Sequence, residues 1–461
     1  MNDALLMIVG ITAFAIGLAV SIALHEVGHL VPAKAFGVKV SQYMVGFGRT
    51  LWSRRRGETE YGVKAVPLGG YVRMIGMFPP EPGGDPTKLR RNSTGPLQAL
   101  IDDARDAAKE EIGPEDSGRV FYAKPWWKKL IVMLGGPFMN IVIAFCLALG
   151  VLTVHGVVDA TDPRVDPVVS SVSQCVLPAD ESGRECRESD PATPAAAAGF
   201  QAGDRITSFE NQPMRSWADV QEAIRNHGPG QATIVVERPV QDDVDDPAVV
   251  DGSTPTESVT LTPELISDER PRLDETGAQS PELGTVEVGF LGLSPVLTAL
   301  PQSLGDSMAW IGNFMSETVQ AVLRVPEKMV DVWNVAFNGA ERGVDTPMSI
   351  VGAGRAGGEI AALEAPAADR VATFVMLLAG FNMAIAVFNL IPLLPLDGGH
   401  AIGAIWEGVK RGFSRLTRRP APRPVDVARA LPLAYGVAGV LICMSLLLIY
   451  VDVVAPIPLF G

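Results

Sequence analysis

Four stretches of this chain run for a membrane-spanning length without a charged residue: residues 4–24 (21 residues), 130–154 (25), 371–396 (26) and 430–451 (22). A bilayer core of ~30 Å takes about 20 apolar residues of helix to cross. A core helix of that length in a soluble domain keeps a polar face. The runs therefore predict an α-helical polytopic membrane protein with four transmembrane helices. The first run exceeds the apolar region of a signal peptide, and Met1-Asn2-Asp3 before it holds no Lys or Arg, so it reads as a retained span.

Charge orients the spans. Residues 37–129 hold 16 Lys/Arg and 11 Asp/Glu, and residues 407–429 hold 7 and 2, so each segment is net +5. Residues 156–370 hold 14 basic and 35 acidic residues, a net of −21. Basic loops stay in the cytoplasm. The acidic segment and both termini are then expected outside, in the plasma membrane. The overall charge of −14 belongs almost wholly to that outer segment and speaks against wrapping nucleic acid. Four cysteines are too few for a disulfide scaffold. Cys175 and Cys186 both fall outside, where oxidation permits a pair, but spacing alone does not show that they meet.

Between the spans the pattern changes. Two Gly-punctuated apolar stretches, 38–47 and 61–77, suggest short strands next to the membrane. Residues 78–118 are rich in Pro, Gly and charge and are expected to form a mobile insert. Outside, 170–239 has the pattern of a small α/β module, with strands at 205–210 and 231–238 around a helix at 216–226. Residues 240–282 are acidic and Pro-rich and are expected to form a long loop, whereas 303–340 carries apolar residues at helical spacing.

The chemistry sits at the inner end of the first span. His25-Glu26-Val27-Gly28-His29 puts two imidazoles on one helix face, placed to grip one Zn²⁺, with Glu26 beside the activated water as general base. Ionisable groups within a span are costly and mark function. A catalytic zinc takes three protein ligands and keeps one position open. His155 and His227 fall on the far side of the membrane. Span three runs in the same direction as span one, so its inner end lies at the depth of His29, and this topology selects Asp397 or His400. A carboxylate flanked by two glycines after Pro392 and Pro395 suits a ligand on a loop.

These residues resemble the site-2 protease family of intramembrane zinc proteases. The likeness rests on His25–His29 together with the segment from Asn389 through Pro392 and Pro395 to Leu396-Asp397-Gly398-Gly399. Gly136-Pro137-Phe138-Met139-Asn140 is similar to the family's second-span motif. Gly46-Phe47-Gly48 and Pro67-Leu68-Gly69-Gly70 resemble its membrane-reentrant β hairpin. The segment Gly199-Phe200-Gln201-Ala202-Gly203-Asp204 looks like a PDZ carboxylate-binding loop, although Gln201 departs from the usual Gly-Leu/Phe-Gly. One PDZ-like module and four spans are closest to the bacterial RseP/Rip type, and among these to the actinobacterial form.

The resemblance implies a division into a first span with the His–Glu motif (1–36), a membrane-reentrant β region (37–77), a flexible cytoplasmic insert (78–124) and a second span (125–156). An extracytoplasmic PDZ-like domain (165–295) with its acidic loop (240–282) follows, then an amphipathic helical region (296–368), a third span (369–400), a basic cytoplasmic loop (401–429) and a fourth span (430–453). It implies one Zn²⁺ on His25, His29 and Asp397. It also implies substrate or oxyanion contacts at Asn389, Asn140, Gly46, Gly48 and Gly69, the reentrant strand offering an edge where unwound substrate pairs. The PDZ-like loop at Gly199, Phe200, Gly203 and Asp204 either binds a new C-terminus or belongs to a domain that only filters substrates by size. The implied substrates are single-span membrane proteins, chiefly anti-sigma factors already shortened by an upstream site-1-type protease. A transporter would predict related halves, which are absent, and an inactive scaffold would be expected to lack Glu26.

Overall fold

The structure, a computed structural model, describes residues 3–77, 79, 112–116, 118–158, 162–176, 186–187, 190–240, 255–273, 279–343, 346–420 and 423–457. The chain divides into two units, Met1–Thr153 with Ser303–Phe460, and Val154–Gln302. In chain order, helix α1 (Asp3–Ala35) leads into paired strands β1 (Val40–Arg56) and β2 (Thr59–Met74), followed by α2 (Trp126–Val154). The second unit holds β3 (Val169–Val172), α3 (Pro194–Ala198), β4 (Arg205–Phe209), β5 (Gln212–Pro213), α4 (Trp217–His227) and β6 (Gly230–Gln231). It continues with β7 (Ile234–Pro239), β8 (Thr256–Leu261), β9 (Glu264–Leu273), β10 (Gln279–Phe290) and β11 (Leu293–Pro295). The first unit resumes with α5 (Leu304–Asn338), α6 (Ile350–Ala362), α7 (Ala367–Asn389), α8 (Asp397–Leu416) and α9 (Leu431–Val454).

Among the described residues, four helices are long and apolar enough to cross a membrane: Ala4–Ala35, Trp126–Val154, Ala367–Asn389 and Val427–Val454. Glycine brings α1 against two of its neighbours. A Cβ on Gly28 of α1 would lie 2.2 Å from the Gly135 carbonyl oxygen of α2, and one on Gly10 would lie 2.2 Å from that of Gly357 in α6. Only small residues let helix backbones approach this closely. Phe14 and Leu18 of α1 fill the space against Ala353, Phe374 and Phe381. At the other end of α1, Leu30 and Ala33 pack with Val40, Met74, Val132, Met133 and Ala401, which joins α1, the hairpin, α2 and α8 in one core.

The hairpin folds into more than two segments. Residues 42–45 pair on both sides, Val45 facing Val63 on one flank and Gly70 on the other. The N-terminal part of β2 also pairs with 50–56, so the segment 70–74 forms an outer edge. Gly46 (φ +94°) and Gly48 (φ +80°) give β1 the left-handed backbone at which it changes course.

The second unit is mixed α/β. Its sheets run β5-β4-β7-β8, β10-β9-β6 and β11-β3. Phe200, Ile206, Trp217, Val220, Ile234 and Leu291 are buried at its centre. Helix α4 opens on a capping box in which Ser216 and Asp219 satisfy one another's backbone N–H. Cys175 and Cys186 are joined as a disulfide. The chain enters and leaves this unit side by side, because Val157 and Leu300 exchange backbone hydrogen bonds.

Four expectations change. Residues 240–282 are not one loop: β8, β9 and the start of β10 lie there, with Leu261 and Leu265 buried, while 241–254 fall outside the described residues. The acidic, Pro-rich composition hid the alternation of Ser258, Val259, Thr260 and Leu261. Residues 401–429 are not a loop either, since α8 occupies them to Leu416. The third spanning helix stops at Asn389, so Asp397 is the first residue of a new helix, not a loop residue. The insert at 78–118 lies mostly outside the described residues, but its end is anchored: Asp116 is buried and takes a 2.6 Å ion pair from Lys39.

Candidate metal centre

The centre is assembled from two stretches of chain more than 360 residues apart. On α1, one helical turn separates His25 from His29, and their Nε2 atoms lie 3.3 Å apart. Asp397 Oδ2 is 3.3 Å from each of them. One ligand atom from each of the three residues lies within 4.8 Å of the other two. Both histidines are at least nine-tenths buried.

The surroundings aim these atoms. His29 Nδ1 donates to the Val132 carbonyl of α2 at 2.7 Å, which leaves the Nε2 lone pair facing the other two donors. Gly136, one turn further along α2, rests its backbone on the imidazoles. A Cβ there would come within 2.3 Å of His29 Nε2 and 2.6 Å of His25 Nε2. Asp397 is delivered by a tight return of the chain between α7 and α8. A Cβ on Gly398 would meet the Ile391 carbonyl oxygen at 2.3 Å, and one on Gly399 the Leu394 nitrogen at 2.5 Å. Any larger residue at either position would push the carboxylate away. Two nitrogens and one carboxylate oxygen at mutual distances near 3.3 Å suit the small tetrahedral Zn²⁺ ion, so the residues present fit the metal.

Glu26 lies between the histidines, is buried, and faces a cavity of about 510 Å³. Gly69, Gly70, Tyr71 and Val72 form one wall, and Asn140, Asn389, Asp397 and His400 line it elsewhere. The Gly70 backbone lies against Glu26, where an added Cβ would be 2.7 Å from its Cγ and 3.1 Å from its Oε1. Asn140 is 1% exposed, and its Oδ1 has no hydrogen-bond partner among the described residues. Asn389 is the last residue of α7.

Other sequence-predicted residues stay apart. Gly46 and Gly48 do not line the cavity and serve the bend of β1, whereas Gly69 does line it, at φ +136° against the Phe47 ring. His400 shares the cavity but stands outside the three-donor group. In the second unit, the stretch from Gly199 to Asp204 is no open cradle. The Gly199 and Phe200 N–H groups bond to carbonyls of α3, Gly203 N–H bonds to Val169, and Gln201 N–H bonds to the Asp204 carboxylate. Arg238 clamps that carboxylate with two 2.8 Å bonds. Phe200 is a core residue. A separate groove of about 240 Å³ runs between α4 and residues 288–293, lined by Trp217, Gln221, Ile224 and Arg225 opposite Gly289-Phe290-Leu291-Gly292. Its Gly-Phe-Leu-Gly run at 289–292 is a local signal readable from the sequence. Gly136 was readable only as part of the second-span motif, because its role needs the α1–α2 crossing to be known, and the buried bond from Asn382 Nδ2 to Ser21 Oγ, 3.0 Å, which ties α7 to α1, was missed.

Comparison with known proteins bears on what this geometry is for. The profile described as Peptidase family M50 matches residues 13–422. The chain belongs to peptidase family M50. It is 32% identical to zinc metalloprotease Rip1 of Mycobacterium tuberculosis over 461 residues, covering 99% of this chain and 100% of the relative. Rip1 of Mycolicibacterium smegmatis is 31% identical over 463 residues, with 98% and 99% covered. Metalloprotease MmpA of Caulobacter vibrioides is 28% identical over 413 residues, with 86% and 85% covered. This M50 peptidase is a multi-pass membrane protein and an intramembrane zinc metalloprotease, as the resemblance implied.

Proposed function

We propose that this peptidase cuts single-span membrane proteins within the bilayer, chiefly anti-sigma factors pre-trimmed by a site-1-type protease. The observation that carries the reading is the meeting of His25 Nε2, His29 Nε2 and Asp397 Oδ2 beside Glu26, on a cavity walled by a strand edge. Those three atoms would hold one Zn²⁺, which supplies Lewis acidity that makes water a nucleophile near neutral pH. Glu26 takes the proton of the attacking water and returns it to the leaving amine. A peptide bond in a transmembrane helix is shielded by its own hydrogen bonding, so the substrate has to unwind first. The outer edge at 69–72 can pair the unwound backbone by strand addition, and the missing side chain at Gly70 lets that edge stand against Glu26. Asn140 has a buried oxygen to offer a substrate N–H, and Asn389 lines the same space.

The charge distribution supports a plasma-membrane orientation with both termini and the PDZ-like unit outside, the hairpin reentrant, and the catalytic residues near the cytoplasmic face. The internally bonded 199–204 loop favours the size-filter role for that unit over carboxylate capture at that loop. The groove at 289–292 supports a second reading, in which the unit binds an extended peptide there. Glu26→Gln tests the mechanism. Zinc should stay bound while cleavage of a reconstituted single-span substrate falls by about 10²–10⁴-fold, and near-normal cleavage would remove Glu26 as the base.

A further inference from the structure

Helix α8 presents a second surface with no protein partner among the described residues. Ile402, Ile405, Trp406, Val409, Phe413 and Leu416 recur at spacings of three and four and are 42% to 83% exposed. The opposite side is buried at Ala401, Ala404, Glu407 and Ser414. Glu407 is turned inward, 2.7 Å from Lys129 Nζ and 2.7 Å from an Arg411 nitrogen. The other acid of the 407–429 stretch, Asp426, lies 3.4 Å from Arg429. Those pairs also engage Arg411 and Arg429, so five of the seven basic residues of that stretch are left with no acid of the stretch to match them.

A mostly apolar cavity of about 390 Å³ opens beside the stripe, lined by Leu393, Ile402, Trp406, Val427 and Leu433 and by one acid, Asp426, which Arg429 matches at 3.4 Å. Lys410 stands near it, its ammonium 5.6 Å from the centre of the Trp406 ring. The location names the neighbour. Only residues 390–396 separate α8 from one helix of spanning length, and another follows it in the chain, so its start lies at the membrane boundary. There an apolar stripe flanked by cations lies at the depth where acyl chains meet headgroups. The cations favour the anionic lipids of that surface.

We propose that the cavity beside α8 is a binding site for one anionic glycerophospholipid, with an acyl chain among Leu393, Ile402, Trp406 and Leu433 and the headgroup against Lys410 and Arg429. Asp397 opens the same helix, so the lipid braces the element that presents the third donor atom.

The test uses the full chain in nanodiscs of mixed phosphatidylcholine and phosphatidylglycerol, with retained lipid counted by native mass spectrometry. Wild type should retain phosphatidylglycerol above its share of the bilayer by about fivefold per cation engaged. Lys410→Gln with Arg429→Gln should return the ratio to that of the bilayer and leave zinc content unchanged. Gly403→Leu should fill the cavity and lower the retention of either lipid without loss of fold, because a Cβ there meets only Val427 Cγ2 at 3.9 Å. Retention in bilayer proportion by wild type would overturn the proposal. So would undiminished phosphatidylglycerol on both variants, or a lipid-free pair of chains joined through this face.

Discussion

At the scale of single residues, the centre is held as much by missing side chains as by the donors. Gly136 leaves room for the two Nε2 atoms, Gly398 and Gly399 permit the return that delivers Asp397, and Gly70 lets the hairpin edge reach Glu26. Gly136→Ala should keep α2 helical, since Ala is the better helix former. Its methyl group would occupy the position 2.3 Å from His29 Nε2, so zinc affinity should fall by at least about 10–100-fold. Equilibrium dialysis against a zinc chelator measures this, and affinity equal to wild type would show that the imidazoles move aside at no cost. The donors themselves were legible in the sequence because His-Glu-x-x-His and Leu-Asp-Gly-Gly are short and local. Gly136 was legible only as part of a motif, because its purpose depends on where two helices cross.

At the scale of elements, the hairpin and the chain leading into α2 are fastened by ion pairs outside the spans. Asp116 is bound by Lys39 at 2.6 Å, and Arg119 reaches Glu58 at 2.6 Å. The Lys39 ammonium holds the Asp116 carboxyl below its ordinary range, helped by the Gly113 N–H. A carboxyl lowered in the folded state adds stability that is present above its unfolded value, about pH 4, and is lost as the pH falls through the lowered one. Limited proteolysis across 112–124 should therefore accelerate below about pH 4, and Lys39→Met should bring fast cleavage at neutral pH. A neutral-pH cleavage rate unchanged in that variant would show that the pair does not fasten this segment. The element type was readable where periodicity was strong, as in the spanning runs and in α4. It was lost where composition pointed the other way: β8 and β9 sit in an acidic, Pro-rich stretch, and α8 sits in a stretch that its basic residues marked as a loop.

At the scale of the molecule, the second unit is an insertion whose ends meet at Val157 and Leu300. It can be excised by joining those positions, whereas removing 170–239 would leave β11 without β3 and β8 without β7. If the unit filters substrates by size, the excised enzyme should cut full-length and pre-trimmed substrate at similar rates, while the intact enzyme cuts only the trimmed form. Continued refusal of the full-length substrate, with normal cutting of the trimmed one, would remove the filter. The number of spans and the charge of each connecting segment were legible because a bilayer demands them. The closing of the chain onto itself was legible from topology only as equal membrane depth, which left Asp397 and His400 open; the family resemblance named Asp397, and the fold brings its carboxylate oxygen within 3.3 Å of both imidazoles. That closure is the central claim, and the zinc content of the purified full chain, wild type beside Asp397→Ala, tests it most directly. One zinc ion per chain in wild type and its loss from Asp397→Ala is the predicted result; full zinc occupancy in Asp397→Ala would contradict the account.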